Sequence, residues 1–418
     1  MGLRLSKVRQ AEDESHCEPI MLARVPDQWR ILHGLTYWKG LLEPLEIKIR
    51  RSIIHYGELA EATYDAFITE PASRFAGNSR YAERDFLAKC GVAGASMYEV
   101  TKFVYATSST LLPESLLIKS LSRESWSKES NWIGYVAVAT DAGKSVLGRR
   151  DVVVAWRGTK RMMEWMTDFQ FNLQSAASLL RPILKEGEDA KVHHGWLSVY
   201  TSADAKSPFN ITSARDQVLM EISRLVKLYK NEDISITMTG HSLGAAISTL
   251  SAIDVVANGI NTIEADPNRH IPVTAIVFAC PRVGDAGFKQ VFDRTENLRL
   301  LRVRNQPDVV PDYPPISYEE VGDELSIDTR KSGYLKSPGS FLTWHNLEAY
   351  LHGVAGTQGK DSDDFSLEVD RDVALVNKRI DALKDELLVP AAWRVEKNKG
   401  MVKGGDGRWI LMDREIDM

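Results

Sequence analysis

The sequence predicts an α/β fold: a mostly parallel central sheet flanked by helices, with an N-terminal helical extension. Three observations carry that prediction. Two continuous apolar runs of strand length, residues 151–158 (DVVVAWRG) and 273–279 (VTAIVFA), read as strands buried on both faces. Segments of helical period alternate with the strands, and such alternation implies parallel pairing. The chain has 418 residues with 44% apolar content, enough for a large core, and α/β folds often run long as one domain.

In chain order, residues 1–25 read as a flexible lead. Trp29, Leu32, Leu35, Trp38, Leu41, Leu42 and Leu45 then recur at spacings of three and four, the period of a helix docked on the core. Ile53, Tyr56, Ala60, Tyr64 and Phe67 repeat the pattern. Residues 97–140 read as irregular segments and short strands, ending in WIGYVAVA. A helix over residues 214–229 precedes ISITMT, residues 234–239, where Ile234, Ile236 and Met238 alternate with hydroxyl residues at strand period. In residues 245–259, Ile247, Leu250, Ser251 and Asp254 return to helical spacing, and Asn258-Gly259 is a stop signal. A helix at 285–293 and a strand at 298–305 follow the run at 273–279. Residues 357–366 read as a surface loop and 370–387 as a helix with Val373, Val376, Ile380, Leu383 and Leu387 on one face. Residues 393–411 read as a hairpin around Gly404-Gly405-Asp406-Gly407. Nothing marks a repeat or a second domain, so residues 26–418 are expected to form a single domain.

Composition narrows the function. A net charge of −5 leaves no global footprint for nucleic acid. Cys17, Cys90 and Cys280 are scattered and odd in number, so the sequence offers no disulfide framework and points to a reducing, cytoplasmic setting. Gly2 with Ser6 fits an N-myristoylation pattern near Arg4, Lys7 and Arg9, set against a plain disordered tail. Residues 234–253 carry no Asp, Glu, Lys or Arg, and their length alone would suggest a transmembrane span. Two glycines, three threonines, four serines, a histidine and a change of period midway argue against it. No cluster has metal-ligand spacing. His193 and His194 are adjacent, so their side chains point apart, and a structural role before Gly195-Trp196 is favoured.

The chemistry concentrates on GHSLG, residues 240–244, centred on Ser242. A strand before it and a helix after it supply the context of a nucleophile elbow. Gly240 and Gly244 let strand and helix pack closely. The helix start turns free N–H groups toward the hydroxyl, so the N–H of Leu243 is a candidate oxyanion donor. A serine needs a base, usually His, oriented by a carboxylate. Downstream lie His270, in what reads as a polar loop, and His345 and His352, flanking the helical NLEAYL. The residues alone leave the choice between His345 and His352 open. Pro307 stiffens the turn before Asp308, and Val309 and Val310 suggest that Asp308 is drawn inward. Asp312, among prolines, reads as a surface residue, and Asp254 is too near Ser242 in sequence to reach round to the base.

GHSLGAA, with VVAWRGT (153–159) and RNQPDVVP (304–311), resembles the class 3 lipases. YWKGLLEPLE (37–46), YGELAEATYDAF (56–67), ESNWIGYVAVATD (129–141), HNLEAYLHGVAG (345–356) and LKDELLVPAAWRVEKNKGMV (383–402) are similar to the plant class II phospholipase A1 group. The resemblance implies the α/β-hydrolase fold and a serine acylhydrolase that cleaves the sn-1 ester of a glycerolipid at a lipid–water interface. It implies His345 as base, Asp308 as acid and Thr159 as the second oxyanion donor, with no cofactor, no nucleic acid, no transmembrane span and at most peripheral membrane contact. It also implies a lid in residues 161–173, where Met162, Met163, Trp165 and Met166 cluster; a buried packing helix is the alternative for that stretch. Rival functions are a lipase preferring mono- or diacylglycerols or galactolipids, a hydrolase of soluble esters or thioesters, and a catalytically silent scaffold on the same fold.

Overall fold

A computed structural model describes residues 28–108, 130–159, 171–264, 266–394 and 401–411. Its centre is a seven-stranded sheet whose strands lie side by side in chain order: β1 (Tyr98–Ala106), β2 (Asn131–Ala139), β3 (Arg150–Trp156), β4 (Ile234–His241), β5 (Val273–Phe278), β6 (Leu298–Asn305) and β7 (Asp323–Ile327). The pairs β1–β2 and β2–β3 are antiparallel. From β3 to β7 every pair is parallel. Every residue of β3, β4 and β5 is buried, as the apolar runs of β3 and β5 require, and in β4 the alternating hydroxyl residues are buried as well.

Helices cover both faces. On one face α2 (Ala214–Leu228) and α3 (Leu243–Ala257) enclose a core containing Met238, Ile247 and Leu250. On the other, α1 (Ile47–Ala66) and α5 (Leu347–Gly356) pack over Tyr135, Val153 and Phe278. Between β5 and β6 runs α4 (Ala286–Arg294), capped by the Asp285 carboxylate. This is the α/β-hydrolase fold expected above. Residues 234–253 divide into β4 and α3, and among the described residues no helix is long and apolar enough to cross a membrane.

Four local expectations need correction. The run from Trp29 to Leu45 is not one helix. Only Trp29–Leu32 is helical, and turns lead on to the Glu46 cap of α1. Gly34, Tyr37, Trp38 and Gly40 have positive φ, which a right-handed helix cannot pass through. Among the described residues of 97–140, the expected short strands are two nine-residue strands, β1 and β2, each completed by its partner. His270 closes a small hairpin, Asp266–His270 against Thr262–Ile263, rather than lying in a loop. The helix expected over 370–387 is two separate 3-10 turns, Val373–Lys378 and Asp385–Leu387. The Asn377 side-chain oxygen accepts the N–H groups of Ala382 and Leu383, which a helix would direct at residues 378 and 379. Val376 and Leu383 still cluster, with Leu335, so an apolar period survives without the helix. The C-terminal hairpin pairs Met401–Lys403 with Trp409–Leu411. The lead, Gly2 and residues 160–170 lie outside the described residues.

Candidate active site

Ser242 stands at the joint of β4 and α3 with φ 62° and ψ −123°. That is a strained conformation for a residue with a side chain, and it persists only when its surroundings enforce it. Two glycines make it possible. A Cβ on Gly240 would come within 2.4 Å of the Gly244 backbone, and one on Gly244 within 2.2 Å of the Trp156 carbonyl. Strand and helix therefore meet backbone to backbone. The Ser242 N–H is tied to the Phe278 carbonyl at 2.9 Å, so β5 braces the elbow. Leu243 opens α3, and an N–H in that first turn has no acceptor within its own helix.

Asp308 and His345 come together from elements far apart in sequence. Asp308 sits in the turn after β6, and its N–H donates to the Asn305 carbonyl at 2.9 Å. His345 lies at the end of the one-turn helix Phe341–Trp344, just before Asn346 caps α5. His345 Nδ1 is 2.7 Å from Asp308 Oδ2. A carboxylate only accepts, so Nδ1 donates, and in the neutral ring Nε2 then carries the lone pair. Among the described residues, that buried Nε2 makes no hydrogen bond. Phe341 stacks on the ring at 5.8 Å, and His241, next to Ser242, approaches it to 4.6 Å.

Thr159 follows the end of β3. Arg157 fixes this loop by donating to the Trp132 carbonyl at 3.1 Å and the Gly158 carbonyl at 2.9 Å. A Cβ on Gly158 would come within 2.5 Å of the His241 carbonyl, so only glycine lets the loop run against the elbow. The Thr159 hydroxyl is buried and, among the described residues, has no hydrogen-bond partner. Thus Thr159, Ser242 and Asp308 all follow carboxyl ends of parallel strands, where open α/β sheets bind their ligands.

Residues that the sequence reading passed over support this arrangement. The Tyr350 hydroxyl donates to Asp308 Oδ2 at 2.6 Å, and the Val310 N–H to Oδ1 at 3.0 Å. Asn305 donates to the Trp344 carbonyl and to Thr329 Oγ1, both at 2.9 Å, tying the segment before His345 to β6. Tyr64 on α1 places its hydroxyl 2.8 Å from His241 Nδ1. Burial holds the His241 imidazole well below its usual pKa, with His345 adding to the effect. The sequence placed Tyr64 on a helix face, His241 next to Ser242, and Asn305 and Val310 close to Asp308, but no pattern in it assigned these residues or Tyr350 a role in the site.

The remaining candidates fall elsewhere. His352 packs in α5, with Nε2 2.7 Å from Ser332 Oγ and its ring against Phe365 and Tyr334. Burial pushes its pKa down to about 3. Asp312 is a half-buried partner of Arg304, and Asp254 is buried in an ion pair with Arg215. His193 accepts the Gly195 N–H and stacks on Trp196, the structural role expected. Among the described residues no group of His, Cys, Asp or Glu could hold a metal ion. Met162, Met163, Trp165 and Met166, the candidate lid, lie outside the described residues.

Comparison with known proteins shows the family to which the chain belongs. A family model described as lipase (class 3) matches residues 153–318. The chain is 55% identical to phospholipase A1-IIgamma of Arabidopsis thaliana over 93% of each chain. It is 54% identical to phospholipase A1-II 1 of Oryza sativa subsp. indica, covering 95% of this chain and 98% of that one. With phospholipase A1-II 3 of Oryza sativa subsp. japonica the identity is 57% over 91% of both. Among solved structures, a lipase from Rhizopus microsporus var. chinensis aligns with 75% of this chain and 88% of its own at 18% identity and a TM-score of 0.42.

Proposed function

The chain belongs to the class 3 lipases, in their phospholipase A1-II branch, and on that premise we propose that it cleaves the sn-1 acyl ester of a glycerophospholipid through a serine acyl-enzyme. The observation that carries the mechanism is the Asp308–His345 pair, with Nε2 left open beside a strained serine elbow. Ser242 Oγ attacks the ester carbonyl as His345 Nε2 takes its proton. Asp308 holds the imidazole and stabilises its charge. The oxyanion is met by the Leu243 N–H and by Thr159, and losing one such donor raises the barrier by roughly 3–4 kcal/mol. As the tetrahedral species collapses, His345 returns the proton to the departing glyceryl oxygen. Water then repeats the sequence and frees the fatty acid.

Peripheral contact with lipid is part of the reading. Val309, Ile316 and Leu342 are exposed apolar side chains on the segments that carry Asp308 and His345. The buried, free Cys90 and Cys280 support a reducing compartment, and imaging of a fluorescent fusion would test the cytoplasmic assignment. The deciding experiment for function is product analysis on phosphatidylcholine with different chains at the two positions. The sn-1 chain should appear first; release of the sn-2 chain first would overturn the positional assignment. Labelling by a fluorophosphonate probe, lost in Ser242→Ala, separates the enzyme from a silent scaffold.

A further inference from the structure

A cavity of about 560 Å³ opens at the C-terminal end of α1. None of Ser242, Asp308, His345 or Thr159 lines it. Its walls carry Arg80, Lys89, Arg379, Arg394 and Lys403 against only two carboxylates, Asp65 and Glu70. The lining alone leaves a surplus of three positive charges, and Glu61, paired with Arg379, and Asp85, 3.3 Å from Lys89, reduce it to one. Asp65 is already shared, at 2.9 Å by Arg379, 3.1 Å by Lys378 and 3.4 Å by Arg394. Arg379 also pairs with Glu61. Arg80 and Lys403 have no ion-pair partner among the described residues, and both are exposed at the rim. Burial, and to a lesser degree the neighbouring Arg394, push the Arg379 pKa down to about 9. Phe67, Tyr81 and Trp409 supply an aromatic wall, with Trp409 propped on Trp393 at 4.6 Å.

We propose that this cavity binds a phosphate monoester, its phosphate among the three guanidinium groups and Lys403, and its organic part against Phe67, Tyr81 and Trp409. Guanidinium forks match the oxygens of phosphate and carboxylate alike. The two wall cations without an ion pair among the described residues, Arg80 and Lys403, select between them: they match a phosphate monoester, with nearly two negative charges and three acceptor oxygens, better than a carboxylate with one charge and two. The volume exceeds what a bare phosphate fills and suits a small organic ligand. The bearer of the phosphate is either a lipid headgroup or a soluble metabolite. Tyr64 is common to both sites: its ring lies 5.1 Å from the Arg379 guanidinium, and its hydroxyl holds His241 beside Ser242.

Isothermal titration of the full chain carrying Ser242→Ala, so that no lipid is consumed, tests this. The ligands are dihexanoyl phosphatidic acid, glycerol phosphate and inorganic phosphate, with dihexanoyl phosphatidylcholine and salt of matched ionic strength as controls. A phosphate ligand should bind once per chain. Adding Arg80→Glu and Lys403→Glu should weaken it by roughly tenfold or more, since each replaces an attraction by a repulsion. Both side chains are exposed and unpaired, so melting should shift little. Tightest binding of phosphatidic acid would identify a lipid headgroup, and equal or tighter binding of the soluble phosphates a free metabolite; either sustains the site. Binding no stronger than in the controls, or equal binding by the charge-reversed protein with a native melting curve, would overturn it.

Discussion

Asp308 carries three hydrogen bonds within one buried carboxylate, and each has a different consequence. His345 is the bond that chemistry uses, the Val310 N–H fixes the turn, and the Tyr350 hydroxyl shares Oδ2 with the imidazole. Tyr350→Phe removes one donor to a charged acceptor, worth about 1.5–3 kcal/mol. If a good part of that is felt in the transition state, turnover falls roughly tenfold. A lower melting temperature with unchanged turnover would make Tyr350 a packing residue only. The two histidines of α5 and its approach should separate cleanly. His345→Ala should remove about a thousandfold or more of the rate, because the base works as a unit with Ser242. His352→Ala should keep turnover and lose stability, since it deletes a ring stack and the contact with Ser332. Equal rate losses in two folded variants would reject the choice of His345.

At the scale of elements, the site depends on one close crossing and one clamp. The crossing is β4 against α3 and β3. Gly244→Ala would press a methyl to 2.2 Å from the Trp156 carbonyl, a backbone atom with nowhere to move. Overpacking of this kind commonly destabilises by about 1–3 kcal/mol or more. Circular-dichroism melting should show the loss; a stable, active Gly244→Ala would mean that the crossing is looser than drawn. The clamp fastens the irregular 370–394 stretch to α5. Buried Glu348 pairs with Arg371 at 2.5 Å and Lys378 at 2.6 Å, and Arg371 also reaches Glu58 at 3.3 Å. Burial alone would raise the Glu348 pKa, but the two cations outweigh it and hold it below the usual value. Arg371→Met would leave half-buried Glu58 without its cation and buried Glu348 with Lys378 alone, and breaking a buried pair commonly removes about 3–5 kcal/mol. Denaturant unfolding would measure that loss, and a change below about 1 kcal/mol, the range of an exposed pair, would refute the clamp.

For the whole molecule, buried histidines set the acid limit. His33, His55, His193, His241 and His352 all have pKa values lowered by burial, His55 to about 4 and His193 and His352 to about 3. The sign follows from linkage. The unfolded chain binds these protons near pH 6.5 and the folded one only well below it, so stability is full above about 6.5 and lost as pH falls toward 4. Each histidine contributes on the order of 1 kcal/mol per pH unit within that window. Asp151 acts later. Burial opposes its charge, yet Arg149, His33 and the Ser235 and Thr237 hydroxyls hold its pKa at about 2, so its contribution fades only below the usual carboxylate range. The melting temperature should therefore begin to fall near pH 6.5. A flat profile down to about 4.5 would show that these histidines titrate normally.

Local chemistry was legible in the sequence wherever neighbours along the chain decide the outcome. The apolar runs at 151–158 and 273–279 could only be buried strands, and GHSLG between strand and helix could only turn sharply, because spacing and backbone freedom are properties of the chain itself. Pro307 before Asp308 signalled the turn for the same reason. The helix expected over 370–387 failed because an Asn377 amide competes for its N–H groups, and periodicity does not report side-chain hydrogen bonds. Tertiary structure alone decided between His345 and His352 as a matter of geometry. Seven residues apart on a helical pattern, they look equivalent, but α5 begins only after His345 and leaves its ring facing Asp308, while His352 turns toward Ser332. Tyr64, Asn305 and Tyr350 were invisible for the same cause. Their partners lie 177, 39 and 42 residues away, and only folding the sheet brings donor and acceptor within reach.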